Sequence, residues 1–224
     1  MSRAKLLPEA ALDKSFNNVG SSYNIHRLVW SLFSKGADDE RSFLYRQESE
    51  GTVPKFYIVS KSEPRDESGL WDIDVKSYEP VLQPGQELSF SLRANPIVSK
   101  RDENGKQHRH DVVMDEKFRM KKEKSSTYDY SHVSEIVQQK GVKWLQKKAE
   151  NNGFFIEEEQ VRADGYRNHR FYKPTGKHNI SFNTIDFTGV LTVNDPELFK
   201  KILFEGIGPA KGFGCGLLLV RPIR

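Results

Sequence analysis

Tyr23, His26 and Arg27 stand three and four residues apart in "SSYNIHRLVWSLFSK". On a helix those spacings bring side chains to one flank. An imidazole, with an ordinary pKa of about 6.5, takes or gives a proton near neutrality. A phenol supplies a hydroxyl partner and a guanidinium supplies permanent positive charge. A proton-transfer group, a hydroxyl partner and a permanent cation on one patch suit general acid–base chemistry beside an anionic group. Which of His26 and Tyr23 is acid and which is base stays open. The competing readings are an ordinary exposed helix histidine for His26 and a surface ion pair for Arg27.

A second cluster is cationic. From Val161 to His178 the chain carries Arg162, Arg167, Arg170, Lys173 and Lys177 against Asp164 alone, an excess equal to the whole-chain net charge of +4. Such a concentration reads as a polyanion-binding surface, and otherwise as a solvated hairpin. His169 and His178 flank the turn Pro174-Thr175-Gly176. The other histidines offer less. His108 and His110 form an H-x-H pair without an evident third ligand, so no metal site is expected. His132 falls in a polar insertion, and Asp38, Asp39 and Glu40 read as a solvated run rather than a carboxylate cluster.

The third feature is "GIGPAKGFGCGLLLV", residues 206–220. A P-loop needs G-x-x-x-x-G-K-[ST]; here Lys211 precedes Gly212 and no Ser or Thr follows. A dinucleotide fingerprint opens a helix after a strand, and here the order is reversed. What remains is a glycine-rich helix-to-strand loop. Its bare N–H groups, with Lys211, can meet phosphates, and its glycines let another backbone approach. A loop shaped only for packing is the alternative.

The elements that must position these groups follow from periodicity. Ile25, Leu28, Val29, Leu32 and Phe33 make one apolar stripe behind a Ser21 or Ser22 cap. "RAKLLP", "FLYRQE" and "KFYIVSK" read as strands, the last two across a turn with Gly51 and Pro54. "SGLWDIDVKSYEP" fits a strand or a helical turn. Pro80, Pro84 and Gly85 mark a boundary between domains 1–84 and 85–224. "ELSFSLRANPIVSK" alternates as a strand. Lys100 to about Ser134 is polar, its middle expected to be mobile. "SEIVQQKGVKWLQKKAENNG" is a helix with Ile136, Val137, Val142, Trp144 and Leu145 inward. "FFIEEEQVR", "TIDFTGVLTV" and "GLLLVRPI" are strands. Asp195 caps, Pro196 opens and Gly206 closes the helix "PELFKKILFEG". The fold class is α+β: two tandem ferredoxin-like, RRM-like βαββαβ units, the first a weaker copy of the second.

At this point the residues resemble a family. "GIGPAKGFGCGLL", "SLRANPIVSK", "VKWLQKKAE" and "FTGVLTVNDPELFKKILFE" are similar to the glycine-rich loop, second-domain strand and helices of CRISPR RNA-processing endoribonucleases, CasE branch (type I-E Cascade subunit). They span most of residues 86–220; the first half matches mainly through "YNIHR", and residues 111–134 depart from the pattern. The resemblance implies two ferredoxin-like domains and metal-free cleavage of precursor CRISPR RNA at the 3′ base of the repeat stem-loop. It implies a 2′,3′-cyclic phosphate product that stays bound with other Cascade subunits, and no cofactor. It implies a catalytic histidine on the first helix, hence His26 with Tyr23 and Arg27. RNA-binding candidates are Arg167, Arg170, Lys173 and Lys177 on the hairpin, then Arg93, Lys211, Gly208, Gly212 and Gly214. An RNA-binding assembly subunit without catalysis is the alternative.

Bulk composition sets the frame. A chain of 224 residues, 36% hydrophobic and 29% charged, can bury a core and keep a wet surface. No apolar run reaches the roughly 20 residues of a membrane helix. Cys215 is the only cysteine, which removes internal disulfides and cysteine-based zinc. "MSRAKLLPEA" lacks a secretory signal, so a reducing cytoplasm is the expectation.

Overall fold

The computed structural model describes residues 1–8, 22–33, 41–50, 53–123, 132–173 and 178–223. The first half holds β1 (Ser2–Leu6), α1 (Ser22–Trp30), β2 (Phe43–Glu50), β3 (Val53–Ser60) and β4 (Trp71–Val75). Its antiparallel sheet runs β2-β3-β1-β4, the ferredoxin-like order. Strand alternation buries Ala4, Leu6, Tyr45, Phe56 and Ile58, and α1 lays Ile25 and Val29 on them. The ambiguous "WDIDV" is a strand. The connection over residues 61–70 contains no helix, so this half lacks the second crossover helix of a full unit. Asp66 organises that loop instead, accepting from the Ser68 and Trp71 N–H groups at 3.0 and 2.9 Å.

The second half contains β5 (Glu87–Ala94), the hairpin β6 (Ile97–Arg101) and β7 (Gln107–Asp111), α2 (Val112–Glu123) and α3 (Val133–Glu150). Then come β8 (Phe154–Phe155), β9 (Val161–Lys173), β10 (His178–Val193), α4 (Pro196–Glu205) and β11 (Leu218–Pro222). The sheet runs β11-β5-β10, with β8 and β9 both pairing with β10. Helices α3 and α4 supply the crossovers and share one core with Leu92, Ile185, Phe187 and Leu191. The caps of α4 are those the sequence dictates. Asp195 accepts from the Glu197 and Leu198 N–H groups at 3.0 and 3.1 Å, Pro196 opens the helix and Gly206 ends it at φ 78°.

Two expectations need correction. "FFIEEEQVR" is not one strand: β8 stops at Phe155, a 3-10 turn covers Glu158–Gln160, and β9 starts at Val161. The polar stretch after Lys100 is ordered as far as Glu123. Asp111 caps α2 by accepting from Val113 and Met114 N–H (3.0 and 2.8 Å) and accepts the Tyr166 hydroxyl at 2.8 Å. Lys100 pairs with Asp115, and Glu116 joins Arg119 of its own helix to Lys140 of α3. Those cations hold the Glu116 carboxyl at about 2. The helix is held mainly by charge, which is why apolar periodicity does not announce it.

The halves meet along a seam. Leu44, Val59 and Leu217 form a small shared core, and α4 packs against β2. Buried Arg46 reaches from β2 to donate to Ser91 Oγ on β5 at 2.6 Å. Among the described residues no helix is long and apolar enough to cross a membrane.

Candidate active site

The imidazole of His26 lies at the seam. Its ring sits 5.3 Å from Trp30, one turn on along α1, and 5.6 Å from Phe213 of the glycine-rich loop. The loop makes a 3-10 turn over Lys211–Phe213. A Cβ placed on Gly212 would stand 3.5 Å from His26 Cε1, 3.6 Å from Nδ1 and 3.8 Å from Arg41 Nη1. The turn's bare backbone therefore faces both the imidazole and a guanidinium. Tyr45, buried on β2, donates its hydroxyl to the Gly212 carbonyl at 3.0 Å, and burial pushes its phenol pKa up. It stays a neutral donor and fixes the turn. Gly214, at φ 80°, leaves bare the position where an added Cβ would stand 3.2 Å from the Tyr45 ring.

Phe213 ties the same turn to the basic hairpin. Its ring lies 5.0 Å from Phe171 and stacks on Phe182 at 5.4 Å. His169 stacks on the same Phe182 at 4.9 Å and shares a 2.9 Å hydrogen bond with Thr184 Oγ1. Burial, then the cations Arg93 and Arg167, lower the His169 pKa, against the Asp186 charge, which raises it. By strand alternation Arg167, His169 and Phe171 share the face that meets Phe213, while exposed Arg170 is on the opposite face. Lys173 ends β9 opposite His178. The Lys173 side chain, Lys177 and the turn 174–176 lie outside the described residues.

The other predicted residues sort as follows. Lys211 is half-buried; burial and then Arg41 lower its pKa, and Glu205 raises it. Arg93 is engaged bidentately by Asp186, Nε–Oδ1 2.7 Å and Nη2–Oδ2 2.8 Å, and its carbonyl accepts from Gly216 N–H at 2.7 Å. It braces the loop from below. Gly208 lets the loop lie against the Trp144 indole, whose atoms would be 3.2 Å from an added Cβ. Tyr23 stands one turn before His26 on α1, with its side chain outside the described residues. Arg27 is exposed, about 100° round the helix from His26. His108 pairs with Asp102 at 2.8 Å.

The sequence reading misses Arg41. It precedes β2 and follows the acidic run 38–40, where it reads as one more solvated charge. Only the long-range packing of β2 on the glycine turn brings it beside His26. The aromatic bracket of Phe171, Phe182 and Phe213 is also missed, although the alternation of β9 carries its signal.

An imidazole thus lies against a glycine turn, between two ferredoxin-like halves and beside a cationic hairpin. The sequence model of the CRISPR associated protein family matches residues 1–222, and the chain belongs to that family. The CRISPR system Cascade subunit CasE of Escherichia coli K12 is 31% identical over 203 residues, covering 90% of this chain and 92% of that protein. The CRISPR-associated endoribonuclease Cse3 of Thermus thermophilus is 28% identical over 234 residues, covering 97% and 98%. The solved structure of Cse3 bound to a 19-nucleotide RNA aligns with TM-score 0.66 at 26% identity, over 99% of this chain and 98% of that one. Cas6e from Escherichia coli K-12 aligns at 0.65 and 26%, over the whole of both chains.

Proposed function

We propose that this chain is a metal-independent endoribonuclease that cuts precursor CRISPR RNA at the 3′ base of the repeat stem-loop. It keeps the mature guide and serves as a Cascade subunit. One observation carries the reading: an imidazole, a bare glycine turn and a guanidinium converge at one end of a cationic hairpin. The relatives' names agree, one being an endoribonuclease and another a Cascade subunit.

In this mechanism the β9–β10 hairpin grips the stem through Arg167, Arg170, Lys173 and Lys177, reading an A-form helix by shape and phosphate. The scissile phosphate sits beside Gly212, between His26 and Arg41. A base takes the proton of the 2′-OH, whose oxygen attacks phosphorus. The P–O5′ bond breaks, the departing 5′-oxygen receives a proton, and a 2′,3′-cyclic phosphate remains. His26 fills one proton role and Tyr23 the other. Arg41, with Lys211, offsets charge that develops on the phosphate. Arg27 adds long-range attraction. Arg93 and Gly208 set the loop's position.

The test is single-turnover cleavage of the host's repeat RNA in excess chelator, with analysis of the product ends. The expected products are a 2′,3′-cyclic phosphate and a 5′-hydroxyl, with His26→Ala slower by about 10²–10⁴. Wild-type rates from His26→Ala overturn the assignment of His26. Tight stem-loop binding with no cleavage by the wild type makes the chain a non-catalytic assembly subunit.

A further inference from the structure

Beside the proposed site, across the Lys211–Phe213 turn from the hairpin, a cleft of about 330 Å³ opens along the seam. That is the size of a small-ligand pocket. Arg41, Lys61 and Lys211 line it, with Glu205 the one acid among its described lining residues. Glu205 also lies 3.8 Å from Lys201, so its charge is shared. Phe204 lines the same cleft, 40% exposed, with its other side near Tyr78 at 5.5 Å between centroids. Three cations around one shared carboxylate, beside an exposed ring, suit an anion joined to a planar group. A nucleotide brings both. The lowered pKa of Lys211 agrees, since burial and Arg41 oppose its charge until an anion arrives.

The order of residues in the turn sets the direction. Phe213 faces the hairpin rings, Gly212 faces His26, and Lys211 lines the cleft. RNA held by the hairpin and running past Gly212 therefore meets the cleft with the segment that lies 3′ of the proposed cut. We infer that this cleft is a subsite for the fragment leaving the cut: the first nucleotide 3′ of the cleaved linkage places its phosphate among Arg41, Lys61 and Lys211 and stacks its base on Phe204. Arg41 belongs to both places, which couples occupancy of the cleft to charge stabilisation at the linkage. The inference rests on the endoribonuclease reading for its choice of RNA.

The experiment compares two RNAs with full-length protein. One is the repeat hairpin ending at the cleaved linkage. The other continues for several nucleotides 3′ and carries a 2′-deoxy sugar at the cut, so that it binds without reacting. Wild type is expected to bind the longer RNA more tightly. Lys61→Ala and Phe204→Ala are each expected to weaken the longer RNA by about tenfold, as loss of a stacking partner does, and to leave the short hairpin unchanged. Lys61→Ala also lowers the salt slope for the longer RNA by roughly one. Phe204→Trp keeps the affinity, which separates stacking from loss of fold. Equal affinities of wild type for the two RNAs, or equal losses on both in the variants, overturn the subsite. Binding is read without cleavage, so an inactive wild type overturns the endoribonuclease reading and leaves this comparison standing.

Discussion

Gly212→Ala isolates the site from the fold. The φ of Gly212 lies outside the left-handed region, so alanine fits its backbone. The new methyl would meet His26 Cε1 at 3.5 Å, Nδ1 at 3.6 Å and Arg41 Nη1 at 3.8 Å, all ordinary contact distances. Nothing in the fold has to move. Stability should hold or rise by about 0.4–1 kcal/mol, because the unfolded chain loses freedom. The methyl occupies a place within contact distance of both the imidazole and the guanidinium, where the proposed mechanism seats a phosphate oxygen. A phosphate pushed out by about 1 Å loses roughly 10²-fold in rate, near 2.7 kcal/mol of barrier. Gly206→Ala is the contrasting control: at φ 78°, its Cβ would lie 2.9 Å from the Gly216 carbonyl and 2.8 Å from Leu44 Cδ1. With ψ at 160° the backbone lies in a region essentially confined to glycine, and that strain alone costs about 1–3 kcal/mol, some 2–12 °C in melting temperature for a chain of this size. The assay is single-turnover cleavage at saturating protein, with stem-loop binding and thermal melting alongside. Cleavage by Gly212→Ala within about threefold of wild type, with normal binding, refutes the approach of phosphate beside Gly212.

Two further outcomes follow from groups around the site. The lowered His169 pKa makes the folded chain resist a proton that the unfolded chain accepts near 6.5. Stability should therefore be steady above that pH, fall as pH drops below it, and level off below the folded pKa. Urea titrations at several pH values should show a shallower fall in His169→Gln; an unchanged slope rejects the assignment. Arg46 is buried, donates to Ser91 Oγ at 2.6 Å, and has the Asp186 charge nearby and Glu48 3.6 Å from its Nε. Ser91→Ala should cost about 1–3 kcal/mol by stranding the guanidinium, while Arg46→Met should be near neutral. The reverse order in denaturant midpoints refutes this account of the seam.

What the sequence discloses is what local chemistry decides. Asp195, Pro196 and Gly206 delimit α4 because caps act within a few residues. The alternation of Leu88, Phe90 and Leu92 places β5 because burial of one sheet face repeats every two residues. The five inward positions named for α3 are all buried. Helix α2 escapes notice because it buries little beyond Val112 and Val113 and is fixed by a cap and ion pairs from elsewhere. The missing crossover helix of the first half is a fact of length: residues 61–70 span the gap as a loop. His26 is legible as a chemical group on a helix flank. That Arg41 joins it is not, since the two meet only when β2 and the glycine turn pack together.

The glycine-rich loop then has a mechanical reading. A 3-10 helix turns about 120° per residue, so three consecutive side chains point three ways. Lys211 is directed to the seam cleft, Gly212 to the imidazole and Phe213 to the hairpin aromatics. The large residue anchors, the charged residue lines the cleft and the residue without a side chain leaves room. Tyr45 below and Trp144 beside the loop demand the close approaches that its flanking glycines permit. A longer side chain on Gly212 would keep the anchor and the charge but close the gap beside His26. The glycines thus serve position more than flexibility: with Phe213 packed and Gly212 tied to Tyr45, the turn holds a fixed opening between two halves of the protein.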